Sequence, residues 1–406
     1  MQSVTLARRS EASCHDCDLP AHGECPAVAH VPVAPRRHRS TRPLAINNSL
    51  VHGICNCNCR LCAVNKASYS GPQEYQPLEV TQALIRRVIE AAQQGLRIRY
   101  IGNAGDGEPT LHPDFIGRMR LFGDMIRTWD DRQVPAPEVA VITNGGRLHR
   151  PGILEAIADN GLTLIISFPS IDPEAYGHAM MGDGARGEAL LKQVLPAITA
   201  AMTAAAKGSL RRLQFHISPP ERDLIRATFD RTVEYLSSTA ARVGLDHLEL
   251  IMFPATANRS GLIRNVHTGV DFYRDLFRRH NRRLHHGVRV DMKLSFQRFF
   301  PKMREFRDLL RHYAYPCVWN GQFFFTADGT SICCNDQAVR MPLGNLRDTD
   351  LSQLLAIKED FLPAVTCKGC DQAPQRMQGG RLLALFRFLA GRKLRRSLRE
   401  QGRTEP

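Results

Sequence analysis

The sequence lacks any uninterrupted apolar run that approaches the roughly 18 to 20 residues of a membrane-spanning helix. Its first residues also lack the apolar core of a signal peptide, because Arg8, Arg9 and Glu11 interrupt them. Acidic residues are scarce relative to basic ones: 40 Asp and Glu stand against 54 Lys and Arg, for a formal net charge of +14. These absences argue against a membrane span and against export, so we expect a cytoplasmic protein. Its basic excess calls for an explanation, either a partner or a solvated basic surface.

Cysteine, in contrast, is abundant, with 12 in 406 residues. Without an export signal, closely grouped cysteines favour metal sites over a disulfide framework. In the first group, Cys55, Cys59 and Cys62 stand with three and then two residues between them, and Cys57 is out of register with this triplet and is interpreted as a spectator. Three such thiolates can bind three irons of a 4Fe-4S cluster and leave the fourth iron open to a ligand that is not protein. A zinc knuckle is the alternative.

Three further segments each follow a predicted strand. Residues 105–110 read Gly-Asp-Gly-Glu-Pro-Thr, Asn144 follows the strand at 138–143, and Ser167 ends the strand at 162–168. Glycine lets a backbone approach a ligand closely, and the Glu108 carboxylate suits a cationic group. Taken singly, these segments are ordinary loop and turn residues. Their shared place at strand ends, where parallel α/β barrels carry their chemistry, favours a ligand site.

Together, the triplet and these segments resemble the radical S-adenosylmethionine (radical SAM) superfamily. The cysteine triplet is similar to the cluster motif of that family, and Gly107-Glu108-Pro109 is similar to the core of its Gly-Gly-Glu-Pro motif, which Asp106 interrupts here. The resemblance implies a 4Fe-4S cluster on Cys55, Cys59 and Cys62, whose open iron chelates S-adenosylmethionine (SAM). One electron from the cluster then cleaves SAM to a 5′-deoxyadenosyl radical. The resemblance further implies cofactor contacts by Gly105, Gly107, Glu108, Pro109, Asn144 and Ser167.

From residue 46 onward the pattern alternates between strands and helices. Predicted strands are 46–54, 97–103, 138–143, 162–168, 211–218 and 247–253, and predicted helices are 78–94, 113–128, 152–160, 187–206, 221–240 and 269–283. Six such units predict an α/β fold with a parallel sheet and outer helices. The resemblance implies a partial (β/α)6 radical SAM barrel over 46–300. Residues 1–45, rich in Pro, Arg and His, are predicted to be a basic, poorly ordered arm.

A second cysteine group follows the barrel. An apolar run at 322–326 with the turn dipeptide Asp328-Gly329 predicts a hairpin, and a short helix is expected before Cys367. The group resembles the SPASM and twitch extensions of the superfamily, which implies a small cysteine-rich domain at 301–375 with one auxiliary 4Fe-4S cluster. Its implied ligands are Cys317, Cys334, Cys367 and Cys370, with Cys334 preferred over Cys333. A structural zinc site is the alternative.

Two basic regions flank these predicted domains. In the N-terminal arm, Cys14, Cys17 and Cys25 could ligate zinc or a third cluster, or be unpaired thiols. Residues 376–406 are predicted to form a basic, partly amphipathic tail in which arginines and leucines are interleaved between 381 and 399. The plainest interpretation of this tail is a helix packed on the protein. The alternatives are peripheral contact with an anionic membrane surface and, less favoured, binding to nucleic acid.

We therefore expect a radical SAM enzyme that removes a hydrogen atom from an unidentified substrate. Small-molecule, sugar or lipid-linked substrates are preferred, with an oxidation or rearrangement assisted by the auxiliary cluster. Such an enzyme also needs a one-electron reductant such as flavodoxin or ferredoxin. Maturation of a ribosomal peptide or protein and modification of RNA are alternatives, as is a non-catalytic iron–sulfur sensor that binds nucleic acid. The sequence identifies no catalytic acid or base.

Overall fold

The protein is built around one sheet that contains eight parallel strands. The computed structural model describes residues 4–6, 29–31, 44–59, 62, 73–129, 134–217, 222–252, 276–294, 322–332 and 342–364. The parallel strands are β1 (Leu44–Ser49), β2 (Ile98–Ala104), β3 (Glu138–Thr143), β4 (Thr163–Ser167), β5 (Arg212–Ile217), β6 (His247–Met252), β7 (Val288–Leu294) and β8 (Gln322–Phe325). They lie in the order β7-β6-β5-β4-β3-β2-β1-β8. The predicted α/β fold with a parallel sheet is confirmed.

Helices cover one face of the sheet, and all but the last connect parallel strands. They are α1 (Leu78–Gln93), α2 (Phe115–Arg127), α3 (Ile153–Ala158), α4 (Pro173–Met181), α5 (Gly187–Ala206), α6 (Arg222–Arg242) and α7 (Leu351–Ala364). In α1 the apolar residues Leu84, Val88 and Ala91 recur at helical spacing, and all three are buried. Gly95 follows at a φ of +80°, which favours glycine and ends the helix.

The two faces of the sheet differ in chemistry because alternate residues of a strand point to opposite faces. One face joins the helices in the main apolar core, to which Ile101, Leu164 and Phe215 contribute. The opposite face carries only a small separate apolar cluster, centred on Tyr100 and Ile165. Beyond that cluster its side chains become polar toward β5, β6 and β7. The helix-covered face supplies most of the buried apolar contacts, and the other face is left for chemistry.

One predicted helix and three unpredicted elements require correction. The predicted C-terminal boundary of the helix at 269–283 is wrong. Within the described residues of this range, only 276–280 are helical. The chain then turns at Arg282, whose φ is +58°, and forms an antiparallel strand, Arg283–His285, paired with β7. The His286-Gly287 turn joins the two strands, and both residues have positive φ. Neither β7 nor α4 was predicted.

The C-terminal strands extend the barrel sheet. The predicted hairpin is confirmed, since β8 pairs antiparallel with the strand Thr330–Ile332 and the turn contains Gly329 at a φ of +86°. A further strand, Pro342–Asn345, pairs with Thr330–Ile332 and precedes α7, the helix expected before Cys367. The sequence did not predict that β8 pairs in parallel with β1. That pairing places the hairpin in the same sheet as the barrel strands.

Two other segments bear on sequence expectations. Within the predicted N-terminal arm, the short strands Val4–Leu6 and Ala29–Val31 pair with each other in antiparallel orientation. Among the described helices, the stretch Gly184–Ala206 is long and apolar enough by composition to cross a membrane, and core helices pass the same test. In this fold Val194, Ile198 and Met202 of that helix are fully buried in the main core.

Candidate functional site

Four connections leave the sheet at one edge, where the parallel strands end. The cysteine loop follows β1, residues 105–109 follow β2, Asn144 follows β3, and Ser167 is the last residue of β4. Carboxyl ends of parallel strands meet at the same edge, and in α/β barrels that edge carries the active site. The structure therefore brings together at one edge every segment that the sequence predicted to bind the cofactor.

Two backbone hydrogen bonds fasten the cysteine loop to the loop after β2. The nitrogen of Gly53 donates to the carbonyl of Asp106 at 2.7 Å, and the nitrogen of Glu108 donates to the carbonyl of Ile54 at 2.9 Å. Between them lies Gly107, where an added Cβ would stand 2.7 Å from the carbonyl oxygen of Ile54 and 2.8 Å from that of Val51. Backbone atoms cannot yield as a flexible side chain can. Residue 107 must therefore be glycine for the two loops to meet.

The carboxylate of Glu108 is buried and joins two loops. Its Oε1 accepts hydrogen bonds from the nitrogen and hydroxyl of Thr110, at 3.1 and 2.6 Å, and from the hydroxyl of Thr143 at 2.7 Å. Its Oε2 accepts from the backbone nitrogen of Asn144 at 2.9 Å. Burial raises the pKa of Glu108, and these hydrogen bonds oppose that rise. The sequence did not predict this bridge, and the predicted contact of Glu108 with the cofactor stays a prediction.

Asn144 continues the connection to the cysteine loop. Its Nδ2 donates to Oδ1 of Asn56 at 2.7 Å and lies 3.9 Å from Sγ of Cys55. Its Oδ1 accepts from the backbone nitrogen of Gly146 at 2.8 Å, which fixes the orientation of the amide. A chain of polar contacts thus runs from the end of β3 to the first predicted cluster ligand.

None of the four cysteines that the structure describes in this loop forms a disulfide bond. Cys55, Cys59 and Cys62 are partly exposed, whereas Cys57 is buried. The backbone nitrogen of Cys57 donates to Sγ of Cys55 at 3.3 Å. Hydrogen bonds with the thiols of Cys55 and Cys59 raise the pKa of the Cys57 thiol above its ordinary value, and burial adds to that rise. Cys57 thus contacts two of the three predicted ligands, and its predicted role as a spectator in cluster binding stays a prediction.

The sequence missed helix α4, which packs against this loop. The carbonyl of Met180 accepts from the nitrogen of Asn58 at 3.0 Å, and the sulfur of Met180 lies 3.9 Å from that of Cys59. The signals were present in the sequence: Asp172 followed by Pro173 is a helix start, and Gly182 is a helix stop. In the structure Asp172 caps α4 by accepting from the nitrogen of Ala175, and Gly182 has a φ of +68°.

The residues of the loop fit an iron–sulfur cluster. Thiolates are the ligands that such clusters use, and each of the three binds a different iron. In the described part of the chain, no group of three or more His, Cys, Asp or Glu residues could hold a single metal ion. A cluster does not require such convergence. The buried hydroxyl of Tyr176 on α4, which has no hydrogen-bond partner among the described residues, adds an available donor beside the loop.

A row of side chains extends from Asn144 across the polar face of the sheet. Ser167 pairs with His216, His216 with Ile251, and Ile251 with Lys293, so that all four share one face at the same height. Neighbouring strands are about 4.8 Å apart, so the row spans roughly 15 Å. Burial lowers the pKa of His216 to about 4. Its imidazole is therefore neutral at ordinary pH.

Two residues before Ile251 on the same strand face, Glu249 forms ion pairs with Arg212 and Lys293 on the two neighbouring strands. It is buried and accepts hydrogen bonds from Nε2 of Gln214 at 2.7 Å and from Nζ of Lys293 at 2.9 Å, with Nε of Arg212 at 3.4 Å. Burial raises the pKa of Glu249, but the two cations and Gln214 outweigh it and hold the pKa below its usual range. The sequence did not single out these residues, because each lies alone in its own strand.

Comparison with known proteins identifies the fold family. A sequence model described as the Radical SAM superfamily matches residues 49–202, the segment that contains the cysteine loop, residues 105–109, Asn144 and Ser167. Residues 49–202 therefore form a radical SAM domain. The family implies a 4Fe-4S cluster and SAM as cofactors, and it implies an enzyme. No curated protein sequence matches the chain.

Solved structures show the same fold. SuiB of Streptococcus suis bound to S-adenosylmethionine aligns with a TM-score of 0.53 at 12% identity, over 86% of this chain and 75% of that one. The anSMEcpe protein with bound AdoMet aligns with a TM-score of 0.53 at 16% identity, over 81% and 83% of the two chains. Its complex with AdoMet and a Kp18Cys peptide gives a TM-score of 0.52 at 16% identity, over 81% and 86%. At these identities the similarity shows the radical SAM fold alone.

Several predicted sites lie outside the described residues. These are the auxiliary-cluster ligands Cys317, Cys334, Cys367 and Cys370, the N-terminal Cys14, Cys17 and Cys25, and the tail segment 381–399. The assignments of these residues stay predictions from the sequence. So do the domain boundaries and the roles of the individual cofactor-binding residues.

Proposed function

We propose that this radical SAM protein removes a hydrogen atom from a polar small molecule, a sugar or a lipid-linked substrate. The observation that carries the proposal is the junction of the cysteine loop with residues 105–109 and Asn144 at one edge of the sheet. When bound, the cluster supplies the electron that cleaves SAM to methionine and a 5′-deoxyadenosyl radical. That electron comes from a one-electron reductant such as flavodoxin or ferredoxin.

The residues of this chain hold and shield that chemistry. Cys55, Cys59 and Cys62 would bind three irons. Glu108 and Gly107 keep the loop after β2 against the cysteine loop, so the two halves of the site stay in register. Fixed geometry is what a radical enzyme gains from its protein, because the cofactor performs the bond cleavage and the protein positions the reacting groups.

The polar face of the sheet supports a polar substrate. His216 presents a neutral imidazole, which can both donate and accept a hydrogen bond. Lys293 is partly exposed, and its ammonium carries three donors, one of which goes to Glu249. Hydroxyl, carbonyl or carboxylate oxygens of a substrate suit this pair better than an apolar surface would. We therefore favour an oxygen-rich substrate that lies on the polar face beside Ser167.

We further propose that Cys317, Cys334, Cys367 and Cys370 bind an auxiliary 4Fe-4S cluster. The hairpin formed by β8 and Thr330–Ile332 supports this, because it begins five residues after Cys317 and ends two residues before Cys334. Such a cluster could accept an electron from the substrate radical and complete an oxidation. Replacing the four cysteines together by alanine should halve the iron content and leave SAM cleavage in place.

A peptide substrate is the second candidate, favoured by the fold shared with anSMEcpe, whose structure contains a bound peptide. The decisive experiment uses cells of the source organism grown on deuterated medium. Their extract is separated into small-molecule, lipid, protein and RNA fractions, and each is incubated with the reconstituted enzyme, reductant and unlabelled SAM. The fraction that yields deuterated 5′-deoxyadenosine contains the substrate. Label from the protein or RNA fraction alone would overturn the small-molecule proposal, and a protein that never cleaves SAM would be a sensor.

A further inference from the structure

The hydroxyl of Tyr176 is a buried polar group at the edge of the candidate site. The Tyr176 side chain is fully buried on α4, and its Oη has no hydrogen-bond partner among the described residues. Burying a hydroxyl without a partner is unfavourable, and folded proteins pair nearly all such groups. An unpaired phenol in a well-packed region therefore calls for an acceptor that is not one of the described protein groups.

Tyr176 lies on the face of α4 that packs against the cysteine loop. Tyr176 and Met180 are four residues apart and so lie on the same face of α4. Met180 contacts the loop through its sulfur, 3.9 Å from that of Cys59, and through its carbonyl, 3.0 Å from the nitrogen of Asn58. Burial, together with the thiols of Cys57 and Cys59 and the carboxylate of Glu108, raises the pKa of Tyr176 well above its usual value. The phenol therefore stays protonated and can act as a donor.

Other nearby groups are poor acceptors for this phenol. The Glu108 carboxylate already accepts four hydrogen bonds, three of them at Oε1. No described sulfur atom accepts a hydrogen bond from Oη. On its other side the ring packs against Phe168, with ring centroids 5.9 Å apart. The remaining candidate acceptor for the phenol is the iron–sulfur cluster that these cysteines would bind.

We propose that Tyr176 donates a hydrogen bond to a sulfur of the iron–sulfur cluster bound by Cys55, Cys59 and Cys62, and thereby raises the reduction potential of that cluster. This inference rests on the proposed function, because it requires the cluster. Reduction adds a negative charge, and a donor directed at a cluster sulfur stabilises that charge. Tyr176 is thus a positioning and tuning residue that makes the cluster easier to reduce.

The chain offers a closely matched control for this proposal. Tyr235 on α6 also packs against Phe168, with ring centroids 6.1 Å apart, and its hydroxyl lies near Thr239 and Thr199, away from the cysteine loop. Tyr176→Phe and Tyr235→Phe each remove one hydroxyl beside the same phenylalanine. Only the first change should alter the cluster. Phenylalanine keeps the ring and its packing, so neither variant creates a cavity.

The experiment is a reductive titration of the reconstituted full-length protein, monitored by electron paramagnetic resonance. The signal to follow is the one that changes when SAM is added, since this separates the SAM-binding cluster from an auxiliary one. We expect Tyr176→Phe to make one-electron reduction about tenfold less favourable, equivalent to about 59 mV, and Tyr235→Phe to match the wild type. A wild-type potential in Tyr176→Phe, or equal shifts in both variants, would overturn the proposal.

A second readout needs no cluster. In the iron-free protein, removing an unpaired buried hydroxyl should leave the melting temperature unchanged or raise it. A lower melting temperature for iron-free Tyr176→Phe would mean that the phenol has a protein partner, and the proposal would fail. If the wild type binds no cluster that responds to SAM, the proposed function fails first. A normal wild-type signal with an unshifted variant defeats only the role of Tyr176.

Discussion

The carboxylate of Glu108 accepts a hydrogen bond from the backbone nitrogen of Asn144 at 2.9 Å, which ties the loop after β2 to the end of β3. With the bonds from Thr110 and Thr143, this contact makes the motif glutamate a structural bridge. Asn144 in turn reaches Asn56 in the cysteine loop. One buried carboxylate therefore organises three loops of the site before any cofactor is bound.

Glu108→Gln should destabilise the protein even without its cofactors. The glutamine amide places an N–H₂ group opposite the backbone nitrogen of Asn144 or of Thr110, and both nitrogens can only donate. Leaving such a buried donor unpaired costs about 1 to 3 kcal/mol of unfolding free energy. Urea unfolding of the iron-free protein measures this loss. Glu174→Gln, a change at an exposed glutamate of α4, is the control and should unfold like the wild type.

If Glu108 also meets the cofactor, its glutamine variant should bind SAM roughly tenfold to a hundredfold more weakly, because a charge-assisted hydrogen bond is worth about 1.5 to 3 kcal/mol. Titration of the cluster-loaded protein with SAM checks this. Lower stability with unchanged SAM affinity would limit Glu108 to its structural bridge.

Gly107→Ala should separate the cysteine loop from the loop after β2. The new methyl group would meet the carbonyl oxygens of Ile54 and Val51 at under 3 Å, so the loops must move apart. We expect a marked fall in the iron bound at the cysteine loop after reconstitution. Gly184→Ala is the control, because its methyl would meet only side-chain atoms of Glu174 and His178, at 3.2 Å or more. Equal iron in the two variants would show that the tight junction is not needed.

The sequence predicted the framework of the site better than its surroundings. The cysteine triplet, residues 105–109 and the strand ends at Asn144 and Ser167 are local patterns, and parallel topology then brings them to one edge. Helix α1 was predicted within a residue or so because its apolar spacing is regular. The parallel pairing of β8 with β1 was not, because no local pattern encodes a contact between residues 322 and 45.

Residues that act through distant partners were missed for the same reason. Tyr176 and Met180 are brought to the site only by the packing of α4 on the cysteine loop. His216 is brought there only by the pairing of its strand with the strand of Ser167. The short helix α4 was passed over although Asp172, Pro173 and Gly182 mark its ends. Burial, which sets the pKa of His216, is a property of the assembled sheet and cannot be read from neighbouring residues.

His216 should make stability fall as the pH is lowered. Its folded-state pKa of about 4 lies below the ordinary 6.5, so between these values the unfolded chain binds a proton that the folded protein does not. At 1.36 kcal/mol per pKa unit, the wild type loses about 3 kcal/mol across this window. His216→Gln should not show this component. The test is the difference between the two unfolding free energies from pH 7 to pH 4, in which the other titrating groups cancel. A difference that does not change with pH would contradict the assignment.

The basic tail gives a prediction that rests on sequence alone. If residues 381–399 anchor the protein at a membrane surface, vesicles with anionic lipid should retain it and release it as salt rises, because each basic group contributes roughly 1 kcal/mol that ions screen. Deleting the chain after Gln378 should abolish this binding and spare SAM cleavage. Co-sedimentation of both forms is the measurement. Precipitation of the truncated form would instead indicate that the tail is packed structure.

The central claim is that Cys55, Cys59 and Cys62 bind the cluster that cleaves SAM. Its most direct test is anaerobic reconstitution of the wild type and of the variant with all three cysteines changed to alanine, followed by iron analysis and measurement of 5′-deoxyadenosine formed with a strong reductant. Cys57→Ala is the matched control in the same loop and should keep its iron at this site. We predict that the triple variant retains about half the wild-type iron, held by the auxiliary ligands, and forms no 5′-deoxyadenosine. Full iron content, or continued SAM cleavage, in the triple variant would contradict the claim.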